Sequence, residues 1–183
     1  MSKRAVIVVD IQNEYFSSGK LPLVNIEQAA ANAARVIQMA RQNKDLLIHV
    51  RHEFPDPNAP LFTPGSNGVN IHESVAPESD EPVILKNYPN SFLKTNLKEL
   101  LDTNGIEEVV VIGAMSHMCI EATSRAASDF SYKVTVVEDA CATMDLEFNG
   151  VKAPAAQVHA TAMAAIEFAY GTITSTQAYL NEA

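Results

Sequence analysis

The sequence predicts an α/β protein, with a parallel sheet covered by helices on both faces. Four short apolar runs, at residues 5–9, 46–50, 109–112 and 134–137, lack clean alternation with polar residues. That is the mark of strands buried on both sides. Stretches of helical spacing separate most of them. Strands alternating with helices imply a parallel sheet built from right-handed crossovers, a three-layer α/β/α arrangement.

Taken in order, residues 5–9 (Ala-Val-Ile-Val-Val) open the chain as a strand. Residues 25–43 predict a helix, with Ile26, Ala29, Ala30, Ala33, Val36, Ile37 and Ala40 repeating at helical spacing. A strand at 46–50 follows. Residues 54–80 hold five prolines and two glycines and predict a long irregular excursion of the kind that often forms a lid or binding loop. Residues 83–85 are a weaker strand candidate leading into Lys86. Residues 92–104 predict a helix stopped by Gly105. After the strand at 109–112, helices are expected at 118–129 and 153–170, on either side of the strand at 134–137. A short strand at 171–174 and a last helical turn or two at 175–181 complete the pattern. There are no internal repeats or low-complexity tracts, and residues 1–183 read as one domain.

Composition narrows the function classes. The chain has 183 residues, 47% hydrophobic and 19% charged, with a formal net charge of -9. That size supports one sizeable core, and an acidic surface repels phosphate backbones, so no nucleic-acid partner is expected. No segment approaches the roughly 18 apolar residues of a membrane span, and the N-terminal apolar run is too short for a signal peptide. A cytoplasmic protein is therefore expected. Two cysteines in such a chain predict free thiols rather than a disulfide framework.

In open α/β sheets, ligands bind outside the carboxyl ends of the strands. Asp10 ends the first strand, Arg51 and His52 end the second, and the stretch from Gly113 to Cys119 follows the strand at 109–112. Asp10 at the edge of a dry core either serves as an acid-base group or ties down the loop holding Gln12 and Asn13. Cys119 lies near a helix start, where N–H groups and the dipole favour a thiolate and could hold an oxyanion. The alternative is a buried cysteine packing as a small apolar residue. Lys86 either snorkels to solvent or places a positive charge beside Asp10 and Cys119.

These segments resemble the isochorismatase-like hydrolase family along essentially the whole chain. The matching pieces are Val8-Val9-Asp10-Ile11-Gln12, Lys86 with Asn90-Ser91-Phe92, and the stretch from Gly105 to Ile120 containing Cys119. Thr123, Arg125-Ala126-Ala127 and the run from Val137 to Thr143 also match. The resemblance implies a six-stranded parallel sheet, a Rossmann-like frame and a catalytic triad of Asp10, Lys86 and Cys119. It also implies a cis peptide between Ala114 and Met115, and an oxyanion hole made by the N–H groups of Met115 and Cys119. The expected activity is hydrolysis of an amide or lactam through a thioester, without a cofactor. Homo-oligomers are common among such relatives and are expected here.

The sequence departs from two branches of that family. Nicotinamidases carry a metal-binding Asp-x-His after the second strand, where this chain reads Arg51-His52-Glu53. His52, Glu53 and His72 are left as weak metal candidates, and no metal is expected. Isochorismatases proper cleave a vinyl ether with the Asp as acid, several without the cysteine, and the retained Cys119 argues for acyl transfer. The stretch from Met115 to Cys119 resembles a branch that includes streptothricin-hydrolase-like proteins. Gln12, Phe16, His52, Asn90, Phe92, His117 and Met118 are expected to line the pocket for a small-molecule substrate, and Cys141 to pack structurally. Ether hydrolysis by Asp10 and a non-enzymatic flavodoxin-like binding module stand as alternatives.

Overall fold

The computed structural model describes residues 3–182. Six parallel strands lie in the order β3-β2-β1-β4-β5-β8: β1 (Arg4–Val9), β2 (Leu46–His52), β3 (Val83–Lys86), β4 (Glu108–Ala114), β5 (Lys133–Ala142) and β8 (Thr172–Thr174). A separate antiparallel pair, β6 (Leu146–Phe148) and β7 (Val151–Ala153), stands outside this sheet. Helices α1 (Ile26–Asn43) and α5 (Thr176–Glu182) cover one face, and α2 (Leu97–Thr103), α3 (Glu121–Asp129) and α4 (Ala155–Ala169) cover the other.

Strand β1 shows why its sequence is apolar throughout. Val6 and Val8 pack toward α1, whereas Ala5, Ile7 and Val9 pack toward α2 and α3, and all five are buried. Alternate residues of a strand point to opposite faces, so a doubly covered strand has no polar side. Helix α1 buries Ile26, Ala29, Ala30, Ala33, Val36, Ile37 and Ala40, the stripe its spacing predicts. Small alanines there let the helix lie close on the sheet.

The order of strands reverses between β1 and β4, which pair directly. The chain leaves β1 toward β2 on one side and later returns to β4 on the other, opening a crevice at their carboxyl ends. Gly113 permits the close approach there. Its φ is +127°, and a Cβ would lie 1.9 Å from the Val9 carbonyl oxygen.

Four elements differ from the sequence expectation. The strand expected over 134–137 runs on to Ala142, with a register shift against β4 between Val111 and Gly113. The helix expected over 92–104 begins only at Leu97. Lys94 takes a φ of 56°, and the Thr95 hydroxyl donates to the Ser91 carbonyl, holding 91–95 in turns. The helix expected over 118–129 is preceded by a π turn, Ser116–Ile120, that contains Cys119. The β6–β7 hairpin was not expected at all. Asn149-Gly150 forms its turn with φ of 51° and 79°, the conformation that Asn-Gly adopts in tight hairpins.

Candidate active site

Asp10, Lys86 and Cys119 come from the carboxyl ends of β1, β3 and β4, and the fold brings them together. Lys86 Nζ lies 2.7 Å from Asp10 Oδ2 and donates to Cys119 Sγ at 3.2 Å. Asp10 and Lys86 are essentially solvent-free, and Cys119 is 7% exposed. Asp10 adopts a φ of 52°, an uncommon left-handed conformation that aspartate tolerates better than most residues. Its N–H donates to the Val50 carbonyl, which fixes the carboxyl over the end of the sheet.

Burial dominates the proton affinities. It pushes the Cys119 thiol up to about 12, with the Asp10 charge adding to the effect and Lys86 opposing it. Burial also raises the Asp10 carboxyl, against the pull of Lys86. Desolvation works against the Lys86 charge, but Asp10 and Cys119 outweigh it and hold the ammonium protonated. This corrects the expectation that the helix start would favour a thiolate at rest. Cys119 sits inside the buried π turn rather than at an exposed helix terminus. A thiol held in its protonated form and a carboxyl whose charge burial disfavours therefore face one fixed cation.

The loop between β4 and α3 is tightly wound. The Ala114–Met115 peptide is cis, and the Met115 carbonyl accepts from the N–H groups of Met118 and Ile120 at 3.0 and 3.2 Å. Met115 and Cys119 thus belong to a single turn beside Asp10 and Lys86. The segment after Lys86 is pinned to α3 by Ser91, whose hydroxyl lies 2.8 Å from Thr123 Oγ1 in a buried contact. That contact gives the Asn90-Ser91-Phe92 and Thr123 motifs a structural role.

The expected pocket residues divide. His52 borders the site, and burial together with the Lys86 charge lowers its imidazole to about 4, so the ring is neutral there. Its ring meets Phe54 and Phe62 edge-on. His117 and Met118 lie on the π turn; His117 Nδ1 is 2.7 Å from Thr143 Oγ1, and Met118 is exposed. Asn90 uses its side-chain oxygen to accept the Phe92 N–H, closing a local turn.

Three of those residues are engaged in other contacts. Gln12 is fully buried, and its amide is spent on backbone: Nε2 donates to the carbonyls of His52 and Val69, and Oε1 accepts the His52 N–H. Phe16 stacks on His72 with ring centroids 3.6 Å apart. Phe92 packs against Phe130 and Tyr132, in the apolar cluster that also holds Cys119. In each case the side chain is engaged in holding a loop or filling the core.

Tyr15 and Phe62, not among the expected pocket residues, join the aromatic group of His52. The buried Tyr15 phenol is raised by burial and by the charges of Asp10 and Cys119, which places it within their field. Its ring meets Phe62 edge-on at 5.1 Å. Phe62 lies in the excursion at 54–80, held by its N–H donating to the buried Glu14 carboxylate at 2.9 Å. Tyr15 could have been suspected from its place five residues beyond Asp10; Phe62 had no local signal.

The weak metal candidates do not converge. His72 is stacked on Phe16 and hydrogen-bonded to Ser74, Glu53 is paired with Arg51, and His52 lies among phenylalanines. Among the described residues, no group of three or more His, Cys, Asp or Glu side chains is placed to hold a metal ion. Cys141 is buried and donates to the Val137 carbonyl at 3.4 Å.

A parallel sheet with this crevice, and a carboxyl, an ammonium and a thiol meeting in it, defines an isochorismatase-like hydrolase frame. The isochorismatase domain model matches residues 4–178, and the chain belongs to that family of hydrolases. It is 46% identical over 176 residues to the isochorismatase family protein YddQ of Bacillus subtilis (strain 168), covering 96% of this chain and 98% of that protein. The crystal structure of a putative isochorismatase hydrolase from Oleispira antarctica superposes with a TM-score of 0.94 at 48% identity, covering 97% of this chain and 96% of that one. A streptothricin hydrolase of Streptomyces noursei is 32% identical over 150 residues, or 78% of this chain and 51% of the hydrolase. A maleamate amidohydrolase of Pseudomonas putida is 26% identical over 151 residues, or 75% of this chain and 71% of that enzyme.

Proposed function

We propose that the chain is a cysteine amidohydrolase that cleaves a C–N bond of a small amide or lactam through a thioester. The observation that supports this is the contact of Lys86 with both Asp10 and Cys119, at 2.7 and 3.2 Å. The relatives named for streptothricin and maleamate hydrolysis point the same way.

In this reading the resting cysteine is a thiol, so attack needs a base. Asp10 takes the thiol proton as Cys119 Sγ bonds to the carbonyl carbon. The negative charge moves from one neighbour of Lys86 to the other, so the cation remains paired throughout. The N–H groups of Met115 and Cys119 hold the oxyanion. Asp10 then gives its proton to the leaving nitrogen as the C–N bond breaks, leaving a thioester. Water, deprotonated by Asp10, attacks that thioester. The carboxylic product leaves, and the thiol regains its proton. His52, Tyr15 and Phe62 form an aromatic wall on one side of the reacting groups.

A screen of amides, lactams and N-carbamoyl compounds tests this, run beside Cys119→Ala and Asp10→Asn. The expected result is turnover in the parent and at least a thousandfold loss in both variants. Turnover that survives Cys119→Ala but not Asp10→Asn would replace the proposal with ether hydrolysis by Asp10. Turnover surviving in both would remove the triad from the chemistry.

A further inference from the structure

A second polar chain reaches the nucleophile loop from outside the triad. Ser116, next after Met115, is fully buried, and its Oγ lies 2.8 Å from His159 Nδ1 and 3.3 Å from the Ala142 carbonyl oxygen. The other ring nitrogen, Nε2, lies 3.4 Å from Glu138 Oε2. His159 and Glu138 are partly exposed and line a cleft of about 570 Å³ between α1 and α4, along the last residues of β5. The chain therefore runs from an open cleft to the turn that carries Cys119.

Counting protons gives this chain two arrangements. With the imidazole charged, Nε2–H donates to Glu138 and Nδ1–H donates to Ser116 Oγ, which frees the Ser116 hydroxyl to donate to the Ala142 carbonyl. Every group is then paired. The neutral ring has a single N–H. Kept on Nε2 toward Glu138, it leaves Nδ1 as an acceptor that draws the Ser116 proton away from Ala142. Placed on Nδ1, it sets a bare nitrogen lone pair against the Glu138 carboxylate, which is unfavourable. Loss of one proton from the ring thus turns the Ser116 hydroxyl from Ala142 to His159. Ala142 is paired with Ala114 in the β4–β5 ladder, so its carbonyl stands where the nucleophile loop leaves the sheet.

We propose that His159 is a positioning residue whose protonation sets the direction of the Ser116 hydroxyl, and through it the seating of residues 114–119 against β5. Two further acids lie at the cleft, each with a partner of its own. Asp139 on β5 lines the same cleft but spends Oδ1 on the N–H and hydroxyl of Thr176. Asp145 caps α4 by accepting the Ala155 N–H, one turn before His159. Helix α1 contributes the uncharged Asn25, Gln28 and Asn32. On the loop itself, His117 is turned to Thr143.

The test needs no substrate and is independent of the chemistry proposed for Cys119. In a His117→Gln background, which silences the neighbouring ring, NMR follows three signals between pH 5 and 8.5: the His159 Cε1–H, the Ser116 amide and the Ala142 carbonyl carbon. The two backbone signals are expected to shift with the midpoint of the His159 ring. In His159→Gln their pH dependence should vanish. In Ser116→Ala the ring should still titrate while the Ala142 shift falls to less than half. Backbone signals that titrate without His159, or that follow the ring undiminished in Ser116→Ala, would overturn the proposal.

Discussion

Lys86→Met keeps most of the length of the side chain and deletes its charge from between Asp10 and Cys119, 2.7 and 3.2 Å away. At an effective dielectric of ~20, a unit charge at those distances is worth about 6 and about 5 kcal/mol. The difference, about 1 kcal/mol, is all that the cation sets against moving negative charge from the carboxyl to the sulfur. Without it, either anion is a buried charge with no partner, so the site takes up a proton and becomes a carboxylic acid beside a thiol. Losing about 5 kcal/mol of thiolate stabilisation corresponds to roughly three to four orders of magnitude in rate. Alkylation of Cys119 by iodoacetamide at pH 7.5 measures this, followed by mass spectrometry in a Cys141→Ser background. A Lys86→Met rate within tenfold of the parent would refute the electrostatic argument. The same variant should lose about 3–5 kcal/mol of stability to urea at pH 7. It should recover part of that as pH falls, because a carboxyl raised above its unfolded value destabilises less once protonated.

Gln12→Ala strands two buried carbonyls and one buried N–H, and should cost about 3 kcal/mol in urea unfolding, a loss no substrate contact would explain. Gly113→Ala places a methyl group against the Val9 carbonyl, and should cost more than about 4 kcal/mol, read as loss of soluble folded protein by circular dichroism. Glu81 is held at about 2: burial opposes its charge, but Arg41 hydrogen-bonds both of its oxygens and the Glu78 N–H and His49 add to the effect. A depressed carboxyl contributes stability above its unfolded value that is lost as pH falls through the folded one. Glu81→Gln should therefore cost about 2 kcal/mol at pH 7 and progressively less between pH 4.5 and 2, in parallel urea titrations.

The sheet was legible because doubly covered strands have no polar face, so runs such as Val6-Ile7-Val8 announce themselves. The three groups at its carboxyl edge were legible for a related reason: a charged or nucleophilic residue ending such a run must be held by something. The β6–β7 hairpin escaped because its strands are three residues each and exposed, too short for periodicity, although Asn149-Gly150 was a sufficient turn signal. The π turn was read as the first turn of α3 because apolar spacing does not separate the two windings. Gln12 shows that nearness in sequence to Asp10 says nothing of direction, because its amide turns to the backbone of His52 and Val69. Phe62 reaches the site through a fold of the 54–80 excursion, pinned by the Glu14 carboxylate. That carboxylate in turn needs Gly68, where a Cβ would lie 2.2 Å from Glu14 Oε2. Such a contact between distant segments leaves no mark on either alone.

The central place of β1 has a consequence for synthesis. Its two neighbours are β2 and β4, and β4 begins only at Glu108, about a hundred residues after Val9. At ~5–20 residues per second, a ribosome needs roughly 5–20 s to supply that partner. Throughout that interval one edge of the most apolar strand lacks its native neighbour. The nascent chain is therefore at its most adhesive before Cys119 has been made, and its yield in a cell depends on how that edge is sheltered.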